Sequence, residues 1–237
     1  RYVPRLRLFD PNGAMVAEAF NAASANRDIE LSAVATNAGP YTVVAAPYYD
    51  NGAGDYSLSL VKAPGAITIT EGDQGGPLTN GGIHPAELTV GDLDAWTFSA
   101  AAGDRVILRM GATGFVPRLR LYDPNGALVS DDFSTASANR DTELSAVATN
   151  AGPYTVVASA YYPNGAGPYT LSYAKVPGAI PVSPGDHGGP LTNGGRHPGR
   201  GRRHRDRRRR RPTRRDCGRS VGHFDRAGRP ADGVGGR

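Results

Sequence analysis

Four kinds of residue in this chain could do chemistry: a serine in a nucleophile-elbow pattern, adjacent aspartates, recurring histidines and paired tyrosines. Gly218-Arg-Ser-Val-Gly is a literal G-x-S-x-G, with His223 and Asp225 close behind. That motif activates a serine only on a strained turn between a strand and a helix, and neither is readable there. It reads as a chance match in Gly- and Arg-rich sequence, and Ser134, Ser137 and Ser145 sit in no such pattern. Asp131-Asp132 has the composition of an acid/base pair. His84 and His197 each lie in Asn-Gly-Gly-x-His-Pro, with His187 a third histidine of the same region. Zinc needs three or four convergent ligands, and residues 1–198 offer no Cys and no His-x-x-x-His, so these are expected to be loop histidines. Tyr48-Tyr49 and Tyr161-Tyr162 end strand-like runs before Asn-Gly-Ala-Gly. Paired exposed tyrosines stack on sugars or on a peptide polymer at small entropic cost. Strand parity would send one of each pair inward, so a core role competes with ligand binding. No enzyme is expected from these residues.

The elements that position them are repeated. VPRLRLFDPNGA from Val3 returns as VPRLRLYDPNGA from Val116, 113 residues on. The same offset relates SANRDIELSAVATNAGPYTVVA from Ser24 to its partner from Ser137, and GDQGGPLTNGGIHP from Gly72 to GDHGGPLTNGGRHP from Gly185. Of the 84 positions from Tyr2 to Pro85, 61 are identical to their partners. A period of this length suits a small domain rather than a solenoid repeat. The expected organisation is the C-terminal half of a truncated repeat at 1–63, a complete repeat at 67–175, the start of a third at 180–198, and a tail at 199–237. An upstream part is expected before Arg1. The duplication also weakens catalysis, because Asp131-Asp132 corresponds to Glu18-Ala19 in the first copy.

Within the complete repeat, short alternating runs are separated by turn signals, which is the pattern of an all-β fold. Trp96 and Phe98 share a face, as do Val106, Leu108 and Met110, and Leu119 with Leu121. Tyr154, Val156, Leu171 and Val147 are further core candidates, whereas Arg118, Arg120 and Tyr122 are expected to point outward. Asp123-Pro-Asn-Gly is a turn in which Pro presets φ and Gly accepts a positive φ. No run of about ten residues has helical periodicity. An antiparallel β-sandwich, repeated in tandem, buries these stripes most simply.

Gly91-Asp-Leu-Asp-Ala-Trp-Thr-Phe-Ser-Ala-Ala-Ala-Gly-Asp-Arg-Val, then Leu119-Arg-Leu-Tyr-Asp-Pro-Asn-Gly, then Gly-Pro-Tyr-Thr-Val-Val from Gly152 and Gly-Pro-Tyr-Thr-Leu-Ser from Gly167 follow one another in the middle unit. In that order they resemble the bacterial pre-peptidase C-terminal domain. The resemblance implies a jelly-roll-like sandwich, appended to secreted hydrolases or repeated in surface proteins, without catalysis of its own. It also implies that some members bind a polymeric substrate or calcium, the latter through acidic residues of a linker and loop. Glu71 and Asp73 of the linker, with Asp92 and Asp94 before the Trp96 run, are the matching carboxylates here, and hard oxygen ligands suit that ion. The competing reading makes Asp92 a turn cap and Asp94 a solvated strand start. Glu71 is replaced by Pro184 in the next copy, while Asp73 recurs as Asp186.

The net charge of +5 belongs to the tail. Residues 199–237 carry 15 Arg and four Asp, leaving residues 1–198 with 12 basic and 18 acidic residues. The Arg-rich tail is expected to be disordered. It breaks the repeat where Gly-Asp-Leu-Asp-Ala-Trp should recur, and it reads as out-of-frame translation of GC-rich coding sequence. The competing reading is a basic phosphate-binding tail. With the tail set aside, no nucleic-acid partner is expected. No stretch of about 18 apolar residues is present, so no membrane span is expected. The whole is expected to be an extracellular, secreted or surface module. Its expected partners are a polysaccharide or protein polymer and the neighbouring repeats of its own chain. No cofactor is required, with calcium the one candidate. An accessory domain of a secreted hydrolase is the alternative.

Overall fold

A computed structural model of the chain describes residues 2–21, 28–134, 141–162, 164–182 and 184. The tail, with Gly218–Gly222, His223 and Asp225, lies outside them, as do His187 and His197. The described residues contain twelve strands and no helix. Three belong to the first copy: β1 (Pro4–Phe9), β2 (Met15–Phe20) and β3 (Thr42–Pro47). The other nine are β4 (Gly75–Pro77), β5 (Ile83–Leu88), β6 (Asp94–Ala100), β7 (Arg105–Ala112), β8 (Pro117–Tyr122), β9 (Leu128–Phe133), β10 (Asp141–Val147), β11 (Gly152–Ala160) and β12 (Gly167–Val176).

Those nine strands form two sheets, ordered β4-β6-β11-β8-β9 and β10-β7-β12-β5. Every pair is antiparallel except β4 with β6, which is parallel. The alternation works as expected in β7, where Val106, Leu108 and Met110 are buried and Arg105, Ile107 and Arg109 are exposed. Leu119, Leu121, Leu144, Tyr154, Val156 and Leu171 complete one core with them. Phe98 sits in it between Tyr154 and Tyr173, with ring centroids 5.4 and 4.7 Å away. Each large side chain so buried contributes about 1.5–3 kcal/mol. The all-β sandwich is therefore present.

Two parity expectations fail. Val147, the last residue of β10, is exposed because its side chain falls on the outer face. Arg120 points out of the core as expected, yet it is buried, because Glu30 of the first copy lies over it in an ion pair.

The first copy forms a three-stranded sheet, β2-β1-β3. Its strands stand 113 residues before β9, β8 and β11. The Asp-Pro-Asn-Gly turn is built identically in both copies. Asp123 Oδ1 accepts from the backbone N–H of Asn125 and Ala127 at 2.9 and 2.8 Å, and Asn150 Nδ2 donates to Oδ2 at 2.7 Å. Asp10 does the same with Asn12, Ala14 and Asn37. Gly126, at φ +83°, supplies the left-handed residue this turn requires.

Candidate functional site

Asp73, Asp92 and Asp94 converge, each offering a carboxylate oxygen within 4.8 Å of the others. Backbone pairing brings them together. Asp94 opens β6. Asp92 closes the turn before it, its N–H bonded to Thr89 O at 3.2 Å. Asp73 is carried in by β4, which runs beside β6 with Gly75 opposite Ala95. That approach requires glycine, since a Cβ on Gly75 would lie 2.3 Å from Ala95 O, and its φ is +150°. Glu71 is exposed and stands outside the cluster.

Asp92 caps its turn, with Oδ1 accepting from Leu93 N at 2.9 Å. Asp73 Oδ1 likewise accepts from Gln74 N at 2.9 Å. Asp94 is different, because it is fully buried rather than a solvated strand start. Its Oδ2 accepts from the Tyr169 hydroxyl, which in turn accepts from Trp96 Nε1 at 3.0 Å. Its Oδ1 is buried with no hydrogen-bond partner. Burial pushes the Asp94 carboxyl up to about 7 against the opposing effect of Tyr169, and the neighbouring Asp92 and Asp73 push the same way. Burial and the Asp94 charge also raise the Tyr169 hydroxyl, so it stays a donor. Three carboxylates with one buried, unsatisfied oxygen form a hard-oxygen donor set that suits calcium, completed by carbonyls or water. A groove of about 300 Å³ passes Asp73 between the segment 60–69 and Leu93.

The tyrosine pairs form a second feature. Tyr161 stacks on Phe133 at 3.8 Å and 14°, and Tyr162 meets it edge-on at 4.8 Å and 78°. In the first copy Tyr48 stacks on Phe20 at 4.5 Å and 20°, with Tyr49 edge-on at 5.0 Å and 85°. The inward member expected from parity is not in the core. β11 ends at Ala160, so Tyr161 and Tyr162 leave the sheet and pack on the last residue of β9. Tyr49, Tyr162, Phe20 and Phe133 are all exposed. The phenylalanine of each cluster escaped sequence reasoning, and its exact recurrence after 113 residues was the signal that could have found it.

The remaining candidates have structural roles. Asp131 pairs with Arg118 at 2.6 Å, as Glu18 pairs with Arg5, and Asp132 accepts from the Ser130 hydroxyl at 2.8 Å. His84 lies on β5 rather than in a loop, its Nε2 accepting from Thr79 N at 3.2 Å and its ring 5.3 Å from Trp96. Burial holds its imidazole below the usual value. No described helix is long and apolar enough to cross a membrane.

No protein-family model matches the chain, and no curated protein matches it. Among solved structures it is similar to the pre-peptidase C-terminal domain of a Bacillus anthracis collagenase, at 19% identity over 44% of this chain and 98% of that one, TM-score 0.36. It is also similar to periplasmic inhibitors of g-type lysozyme. That of Aeromonas hydrophila shows 12% identity over 43% of this chain and 95% of that one, TM-score 0.36. That of Salmonella Typhimurium shows 14% identity over 43% and 98%, TM-score 0.33. In the motifs of its middle unit, the chain resembles the pre-peptidase C-terminal domain.

Proposed function

We propose that this chain is a non-catalytic extracellular repeat module that holds a polymer weakly through each repeat, gaining strength from tandem linkage, and that calcium locks the segment before each sandwich. The observation that carries the binding reading is the aromatic cluster found twice in the same geometry, Phe20-Tyr48-Tyr49 and Phe133-Tyr161-Tyr162. Stacked rings with exposed edges suit the apolar faces of sugars or a proline-rich strand, and they are already ordered before a ligand arrives. Two linked sites bind a repetitive polymer far more tightly than one.

Calcium supports the same role mechanically. Asp73, Asp92 and Asp94 would hold it, joining the chain before β4 to the start of β6. The ion supplies positive charge to three crowded carboxylates and fixes the entry to the sandwich. The motifs of the middle unit also favour a second reading, in which the module is an accessory domain of a secreted hydrolase and serves it in the same way.

The test uses the whole chain. Sedimentation with insoluble polysaccharides and with fibrillar collagen should deplete it from solution. Tyr49→Ala with Tyr162→Ala should weaken that binding more than tenfold, and either change alone much less. Equal binding by the double variant would reject the aromatic site. Calorimetry with calcium should show uptake that Asp73→Asn abolishes, and no uptake at millimolar calcium would reject the cation site.

A further inference from the structure

The first copy displays, uncovered, a face that the middle unit buries. In the middle unit, β11 lies between β8 and β6, and its residues Tyr154 to Ala158 pair with Phe98 to Asp94. In the first copy, β3 pairs with β1 on one side and has no strand on the other. Its sequence across this register, Tyr41-Thr-Val-Val-Ala, is identical to Tyr154-Thr-Val-Val-Ala. The unpaired edge therefore carries the hydrogen-bonding groups and side chains that β6 meets in the sandwich.

The exposure of matching residues supports this. Val156 is 0% exposed and its counterpart Val43 42%. Leu171 is 0% exposed and Leu58 52%, while Tyr169 is 3% exposed and Tyr56 61%. The residues that grip the first half of the sandwich are also retained: Tyr56 stands where Tyr169 holds Asp94 and Trp96, and Lys62 where Lys175 pairs with Asp104 at 2.7 Å. An open edge beside an apolar face is a template for strand addition.

We infer that the sheet β2-β1-β3 is a docking site for a β-hairpin with the chemistry of β6 and β7, supplied by a polypeptide outside these 237 residues. Counting excludes the chain's own hairpin and that of a second copy. Each chain carries one such hairpin, Asp94–Ala112, and two back halves to receive it, and the sequence from Gly199 does not repeat it. Exchange between copies covers one face only by uncovering another. The occupant is thus a further front half of this repeat type, added along β3 antiparallel.

The test adds a synthetic peptide of residues 92–112 to the full chain. Saturable one-to-one binding is expected, with amide exchange over residues 41–47 slowed at least tenfold and exchange over 152–160 unchanged. Val43→Arg, at a position exposed in the chain, should reduce binding more than tenfold without altering the exchange of residues 152–160. Three results would overturn the inference: no saturable binding, protection that appears at 152–160 instead, or a chain that is dimeric with 41–47 protected before any peptide is added.

Discussion

The Tyr169 hydroxyl donates to Asp94 and accepts from Trp96 Nε1, joining β12 of one sheet to β6 of the other through the middle of the sandwich. This polar link crosses a core that is otherwise apolar, and every member of it is buried. Buried polar groups with partners contribute modestly, whereas the same groups stripped of one partner are costly.

Tyr169→Phe should therefore destabilise the middle unit by about 1–3 kcal/mol, because it orphans both the Trp96 N–H and a second oxygen of Asp94. Urea unfolding followed by Trp96 fluorescence measures it. An unchanged midpoint would mean that the link contributes nothing.

Asp94 sets a pH dependence of unusual sign. Its carboxyl titrates at about 7 in the fold and near 3.8 in an unfolded chain, so between these values the folded state binds the extra proton. Stability from this group is full below about pH 4 and is lost as pH rises through 7, up to about 4 kcal/mol in total. In a chelating buffer, the melting temperature of the wild-type chain should fall from pH 5 to pH 8. Asp94→Asn should flatten that slope and raise stability at pH 8, while removing any stabilisation by added calcium. A wild-type profile as flat as the variant's would contradict the burial argument.

Equivalent leucines in the two copies should behave differently. Leu171→Ala opens a cavity in a closed core and should cost about 2–5 kcal/mol. Leu58→Ala, 113 residues earlier and half-exposed, should stay within about 0.5 kcal/mol. Equal losses in denaturant titrations would show that the first copy is closed in solution.

Alternation made the core strands legible. Period-two burial of Val106, Leu108 and Met110 follows from the pleat alone, and so does that of Leu119 and Leu121. Three strands carried no such signal. β4 is only Gly-Gly-Pro, β5 is interrupted by Pro85, and β9 mixes aspartates with half-buried residues at the sheet edge. Of the four linker and loop carboxylates, three converge because β4 pairs in parallel with β6. Asp94 could not be recognised as buried, since its partner Tyr169 lies 75 residues away. Likewise, parity places Arg120 outward correctly but says nothing of Glu30 covering it from 90 residues upstream.

That cover has a consequence for any attempt to study one repeat in isolation. Arg120 is buried with its Nε and one terminal nitrogen unpartnered, and its counter-ion is Glu30 of the preceding copy, which also reaches Arg118. Arg7, its counterpart in the first copy, has a buried and unpartnered Nε as well. A repeat excised at its linker keeps the cation and loses the anion. Folding free energy is then not a property of the single unit but of the junction, as in a one-dimensional chain whose links carry nearest-neighbour coupling. Arrays of this sequence should melt higher, and more cooperatively, with each repeat added.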